Sequence, residues 1–328
     1  MFPIVEFIQS SIAQGTPLLF GATGEIVTEK SGNLNLGIPG IMYIGAISGV
    51  IGAFLYQEAV GMAVAPIFAI LIPFICSLIG SGLASLLYCF LTVTLRANQN
   101  VTGLALTTFG VGFGNFFGGS LIKLTGSDIP AIALTRFAKV YKTPIPFADK
   151  LGWFGELFFS YGFLVYLAIA CALVSTFILK RTRVGLHLRA VGESPATADA
   201  AGINVTAYKY LSTCIGGMIA GLGGLYYVMD YTYGVWSNNG FGDRGWLAIA
   251  LVIFAIWRPN IGILGSYLFG ALFILYNYID GISMQTQPIL QMLPYVVTLL
   301  VLIIVSMRKK RENQPPAALG LNYYREER

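Results

Sequence analysis

Gly21-Ala-Thr-Gly-Glu-Ile-Val-Thr-Glu-Lys-Ser-Gly-Asn-Leu-Asn-Leu-Gly-Ile-Pro-Gly40 is the stretch on which the reading of this chain turns. Gly24, four residues, then Glu29-Lys30-Ser31 falls one residue short of a phosphate-binding loop. Such a loop needs glycine directly before the lysine, so that backbone N–H groups can curl around the phosphates. Glu29 stands there instead and would aim a carboxylate at the phosphate position. No soluble strand–helix domain follows, because the stretch joins two apolar runs. It reads as a break between membrane helices. Gly32, Gly37 and Gly40 interrupt helical continuity. Asn33 and Asn35 alternate with Leu34 and Leu36, so an extended piece turns both amides one way. Pro39 suits the first turn of the next helix. Irregular backbone persists in a bilayer against protein or a watery cavity. Asn33 and Asn35 are therefore candidates to line a polar path, with an ordinary cytoplasmic turn as the alternative.

The composition requires a bilayer. Of 328 residues, 56% are hydrophobic and 11% charged, and the mean hydropathy is +0.72. A soluble domain carries about 25% charged residues. The 39 glycines fit close helix packing in lipid. The first apolar run has no basic leader, so it is expected to be a retained span rather than a signal peptide. Cys76, Cys89, Cys171 and Cys214 lie inside apolar runs without metal-ligand spacing, and His187 is the only histidine. No metal, cofactor or catalytic residue is expected, and the formal charge of +5 does not call for nucleic acid.

A helix needs about 20 apolar residues to cross the hydrocarbon core. Nine candidate crossings follow, at about 5–24, 38–57, 64–94, 101–121, 157–179, 207–229, 245–257, 261–279 and 289–307. The expected fold class is all-α, a polytopic membrane protein of about nine transmembrane or partly re-entrant helices, within a range of eight to ten. The third run is long enough to tilt or break around Gly80-Ser-Gly82. The seventh is short enough for a half-helix beside a cavity. Lys180, Arg181, Arg183, Arg189, Lys209 and Arg308-Lys-Lys-Arg311 place the 180–207 loop and the C-terminus in the cytoplasm. The N-terminus, the 122–156 loop and the 230–244 segment then fall outside. Residues 1–307 form the membrane domain, and 308–328 read as a flexible cytoplasmic tail.

Within the 180–207 loop, Ser194 and Pro195 make a helix start. Ala196 to Ala201 favour helix, and Gly202 is a natural stop. A short, small-residue helix held in the cytoplasm suits docking into a groove on a partner; a solvated connector is the alternative. Thr102, Thr107, Thr108 and Asn115 put polar groups on the fourth span, and Tyr276, Asn277 and Tyr278 on the eighth. Few charges fall deep in the spans, which speaks against an ion-coupled carrier.

Gly24-Glu25, Ser31-Gly-Asn-Leu-Asn-Leu-Gly-Ile-Pro-Gly-Ile-Met42 and Gly45-Ala46 resemble the first motif of bacterial ABC importer permeases for simple sugars and nucleosides. Leu188-Arg-Ala-Val-Gly-Glu-Ser-Pro-Ala-Thr-Ala-Asp-Ala-Ala-Gly-Ile203 resembles their coupling-helix loop, and Ala220-Gly-Leu-Gly-Gly224 the small-residue run that follows. The resemblance runs from about residue 5 to 307 and looks closest to the nucleoside type. It implies a permease subunit of an ATP-driven importer in the bacterial plasma (inner) membrane. A separate ABC ATPase would dock at Glu193, Ser194, Pro195, Ala196, Ala200 and Gly202. A second permease subunit would complete a heterodimer, and an external substrate-binding protein or lipoprotein would deliver the solute. The path would be lined by Asn33, Asn35, Asn100, Thr102, Thr107, Thr108 and Phe109. Pro39 departs from the family, which usually has glutamate there, so no acidic role carries over. Simple sugars, riboflavin-like compounds and branched-chain amino acids are the alternative solutes. A stand-alone secondary transporter is the alternative mechanism.

Overall fold

Apolar chain in a bilayer must close its backbone hydrogen bonds internally, and helices do so within one segment. The computed structural model describes residues 4–61, 64–125, 131–146, 152–279, 285–308 and 314–325. In chain order the helices are α1 (Ile4–Glu29), α2 (Ile38–Val60), α3 (Pro66–Cys89), α4 (Gln99–Thr125), α5 (Thr135–Tyr141), α6 (Gly152–Phe159) and α7 (Phe163–Arg181). There follow α8 (Arg183–Glu193), α9 (Pro195–Ala200), α10 (Val205–Tyr226), α11 (Arg244–Phe254), α12 (Pro259–Ile274), α13 (Gln287–Gln291) and α14 (Leu293–Arg308). Seven helices among the described residues are long and apolar enough to cross a membrane. With α1 and the short α11 they match the nine expected crossings, and the all-α expectation is met. Two three-residue strands, β1 (Ala131–Ala133) and β2 (Val235–Ser237), pair antiparallel with Ile132 opposite Trp236.

Several boundaries move. The first helix continues through Glu29, five residues beyond the expected end, because Glu25 and Glu29 find partners inside the protein. The third helix runs unbroken through Gly80-Ser-Gly82, and Phe90–Thr94 forms a π turn after it. The fifth crossing begins at Phe163, since 152–159 is the separate helix α6. Residues 183–193, read as loop, form α8, with Thr182 capping the Gly185 N–H at 3.1 Å. Residues 314–325, read as a flexible tail, pack against α8, α9 and the chain between α1 and α2. The parts of the external loop and the tail at 126–130, 147–151, 309–313 and 326–328 lie outside the described residues.

α1 is the central column. It is buried from Gln14 to Ile26 and packs on α10, α12, α11 and α7. One core cluster joins Phe20, Ile41, Met42, Leu225 and Met229; another joins Leu18, Ile26, Leu247, Leu251 and Phe269. Glycines bring the backbones together. A Cβ on Gly24 would overlap the Gly216 carbonyl, and one on Gly45 would sit 2.5 Å from the Gly221 Cα. A Cβ on Gly224 would strike the Met42 carbonyl. The Ala220–Gly224 run is therefore the seam between α10 and α2. Gly224→Val is expected to destabilise the protein by about 1–3 kcal/mol or more through overpacking. The measurement is the thermal midpoint of the detergent-solubilised protein, and an unchanged midpoint would contradict the seam.

Candidate functional site

The chain between α1 and α2 is buried, non-helical and fully tethered. Lys30, Ser31 and Gly32 donate back to Ile26, Thr28 and Glu29 as α1 unwinds. Gly32 has φ +81°, in the left-handed region where glycine is free of Cβ strain. From there several backbone groups meet side chains of the helices around the loop. Leu34 N–H donates to Gln99 Oε1 at 2.7 Å, and Asn35 N–H to Glu25 Oε1 at 3.0 Å. The Tyr88 hydroxyl donates to the Leu34 carbonyl, and Thr107 Oγ1 to the Leu36 carbonyl at 2.8 Å. Asn35 Oδ1 accepts from Gly37 N–H at 2.9 Å, and Asn33 Nδ2 donates to Thr213 Oγ1 at 3.0 Å.

Asn33 and Asn35, the candidates to line a polar path, are fully buried. Asn33 clips the loop to α10, and Asn35 closes the turn that launches α2. Among buried groups, Asn33 Oδ1, Asn35 Nδ2 and Glu25 Oε2 have no hydrogen-bond partner. Thr107 is also buried, as a loop tether. Asn100 and Thr108 lie on the exposed side of α4, Thr102 is half-buried, and Phe109 is 54% exposed.

A second break enters from the opposite face. The 236–243 segment, placed outside by the charge pattern, packs against α4 and α2. Asn115 and Asn239 exchange bonds of 2.8 and 3.1 Å, and Asn115 lies about 15 Å from the C-terminal end of α4. Arg244 Nη2 reaches Gln14 Oε1 at 3.4 Å, and Gln14 is about 15 Å from the N-terminal end of α1. The Arg244 guanidinium also lies 4.6 Å from the Tyr227 ring centroid. Tyr43 packs edge-on against Trp236 and Phe241 at 5.8 and 5.7 Å. These aromatic partners pack the irregular backbone against protein. α11, 11 residues long, then completes the crossing as a half-helix. The two breaks meet where a Cβ on Gly245 would lie 2.5 Å from the Pro39 Cα. α11 ends in a turn with positive φ at Ile256 and Trp257, and the Trp257 indole N–H donates to Glu29.

One face of α4 beside this junction is uncovered. Val101, Leu104, Ala105, Thr108, Gly112 and Phe116 are exposed, and a Cβ on Gly112 would meet nothing. In the 180–207 segment, Ser194 caps α9 through the Thr197 N–H, and Gly202 (φ +82°) lets Ile203 N–H return to the Ala198 carbonyl at 3.0 Å. Ala198 is buried with Val191 and Val205, while Ala196, Thr197, Ala200 and Gly202 are exposed. Ser194 and Pro195 are half-buried, and Glu193 is exposed. Beside it a basin of about 450 Å³ is lined by Lys30, Lys180, Arg189, Glu193 and Arg258. Lys30 sits just past the end of α1. Burial pushes its ammonium below its ordinary pKa, and the Glu193 charge acts the other way.

Gln99, Tyr88, Thr213 and Trp257 escaped the sequence reading. Each acts on a segment far away in the chain, and no local pattern marks such a pair. The chain from 7 to 306 matches the family model described as "Branched-chain amino acid transport system / permease component". It is 32% identical over 310 residues, 90% of each chain, to the guanosine ABC transporter permease protein NupQ of Bacillus subtilis. It is 31% identical over 323 residues, 96% of each chain, to the nucleoside ABC transporter permease protein NupC of Lactococcus lactis. It is 30% identical over 344 residues, 97% of each chain, to the putative glucose ABC transporter permease protein TsgC13 of Haloferax volcanii.

Proposed function

The chain belongs to the family of branched-chain amino acid transport system permease components, and from that premise we propose that it carries a nucleoside-like solute along the exposed face of α4. It is the permease subunit of an ABC importer and a multi-pass protein of the inner membrane. Such a subunit works with an ATPase and a substrate-binding protein. The observation that carries the solute assignment is the pair of relatives named for guanosine and nucleosides, each matched over 90% or more of both chains. The relative named for glucose supports a second reading, a simple sugar.

The geometry supports a division of labour. ATP hydrolysis belongs to a separate subunit, which docks on the exposed side of α9 around Glu193, Ser194, Pro195, Ala196, Ala200 and Gly202. A hydroxyl and a bare glycine on a lipid-facing span gain nothing from lipid, whereas they allow a second helix to approach closely. The α4 face with Asn100, Thr102, Thr108 and Phe109 therefore meets a second, different permease subunit, and the solute passes between them. The tethered 31–37 loop and the 236–243 break form the inner and central closures. Asn33, Asn35 and Thr107 act by holding the inner closure shut. An external binding protein or lipoprotein delivers solute from the side of β1 and β2.

The test is uptake into proteoliposomes containing the complex with ATP on the ATPase side. Radiolabelled guanosine is expected to accumulate in an ATP-dependent way. Accumulation of glucose but not guanosine would replace the solute, and accumulation without any ATPase would overturn the importer. For the path, Gly112→Trp is expected to lower uptake about tenfold, equivalent to about 1.4 kcal/mol. The indole projects into open space, so the chain's own thermal midpoint should not move. Recovery of the second permease with the tagged variant should fall in parallel, and undiminished recovery and uptake would place the path elsewhere.

A further inference from the structure

Residues 314–325, beyond the last membrane helix, run across the cytoplasmic side and touch both moving parts of the proposed mechanism. Ala318 N–H donates to the Gly192 carbonyl at 3.0 Å, where α8 turns into α9. Two residues on, Gly320 N–H donates to the Gly32 carbonyl at 3.1 Å, in the inner closure. Ala318 is buried, and Leu319 packs into the cluster that holds Ile26, Leu188 and Trp257. The chain then reaches Gln99, whose amide Nε2 lies 3.3 Å from Asn322 Oδ1 and whose Oε1 holds the Leu34 N–H. Asn322 Nδ2 donates to the Arg96 carbonyl at 2.6 Å. At the far end the Tyr323 hydroxyl donates to Asp199 Oδ2 at 2.7 Å, and Arg325 Nε lies 3.3 Å from the same oxygen. Asp199 belongs to α9. The Tyr323 ring packs on Val191, Ala198 and Val205 beneath that helix.

We propose that this C-terminal strap positions the docking helix α9 relative to the 31–37 loop, with Tyr323 as its anchor on α9 and Gly320 and Asn322 as its anchors on the closure. A displacement of α9 then pulls on Gly32 and, through Gln99, on Leu34. The inference rests on the reading of α9 as the ATPase docking helix. Arg325 is 75% exposed, so its pair with Asp199 contributes little by itself. The weight falls on the Tyr323 bond and on the two backbone bonds.

The test uses the reconstituted complex and reads solute imported per ATP hydrolysed, together with the amount of ATPase that co-purifies. Ending the chain after residue 313 is expected to lower that ratio about fivefold or more, the low end of ordinary coupling between sites. ATPase should still co-purify, and hydrolysis should continue. Tyr323→Phe removes one bond at constant shape and should lower the ratio in the same direction, whereas Arg325→Lys should leave it near wild type. A wild-type ratio in the shortened chain overturns the proposal. So does loss of the ATPase from it, which would make the strap part of the docking surface. If the shortened chain does not accumulate in membranes, Tyr323→Phe decides, and an unchanged ratio there is also fatal. The docking reading fails separately: Ala200→Arg with full ATPase recovery would refute it whatever the strap variants do.

Discussion

Replacing Ala200 with arginine is expected to abolish uptake while leaving membrane insertion intact. Ala200 is exposed on α9, and its neighbours on that side, Ala196 and Thr197, are also exposed and small. The inner side of α9 is already committed, through Ala198 to the Val191–Val205 cluster and through Asp199 to Tyr323. A partner can therefore close only on the outer side. An arginine carried into a groove shaped for alanine would be buried without a counter-charge, at a cost of about 3–5 kcal/mol. That weakens docking more than about a hundredfold. The substitution touches no core contact of the permease, so its thermal midpoint should match wild type. Co-purification of the ATPase and uptake are the two measurements. Normal values of both would show that α9 is a solvated connector.

The contrast between α9 and its surroundings shows what a sequence can disclose. Ser194, Pro195 and Gly202 act within one turn of themselves, so the short helix was legible to within a residue. α8 was legible in principle, because Thr182 caps it and Gly185, Leu188, Val191 and Gly192 share its buried face. The strap was not. Gln-Pro-Pro-Ala-Ala-Leu-Gly-Leu-Asn-Tyr-Tyr has the composition of a flexible end, yet its backbone bonds go to Gly192 and Gly32, over a hundred residues away in the chain. Polar groups of the 236–244 segment are matched as well, Asn239 by Asn115 and Arg244 by Gln14, tyrosine rings and a backbone carbonyl. Glu25 and Glu29, in the last turns of α1, find their partners beyond it in Asn35 and Trp257. Crossings and caps are local properties, whereas the packing of the two breaks depends on remote pairs.

The loop that opened the reading carries the last test. Asn35→Leu is expected to lower uptake about tenfold or more while the ATPase stays bound. Asn35 is fully buried, and its Oδ1 is the acceptor for the Gly37 N–H at the start of α2. Leucine removes that acceptor where no water reaches, and a buried unpaired N–H costs about 1–3 kcal/mol. The loss falls on one state only if the loop is a moving part. In the closed arrangement Gly37 needs Asn35, whereas an arrangement that opens the loop toward the path can give the N–H to water or solute. The variant therefore shifts the balance toward the open loop. ATP hydrolysis without solute should rise as uptake falls. Asn35→Asp keeps the acceptor oxygen and should retain more of the wild-type uptake than the leucine variant. If Asn35→Leu lowers the thermal midpoint but preserves solute imported per ATP hydrolysed, the loop is a static turn. The two asparagines would then be structural clips with no part in transport.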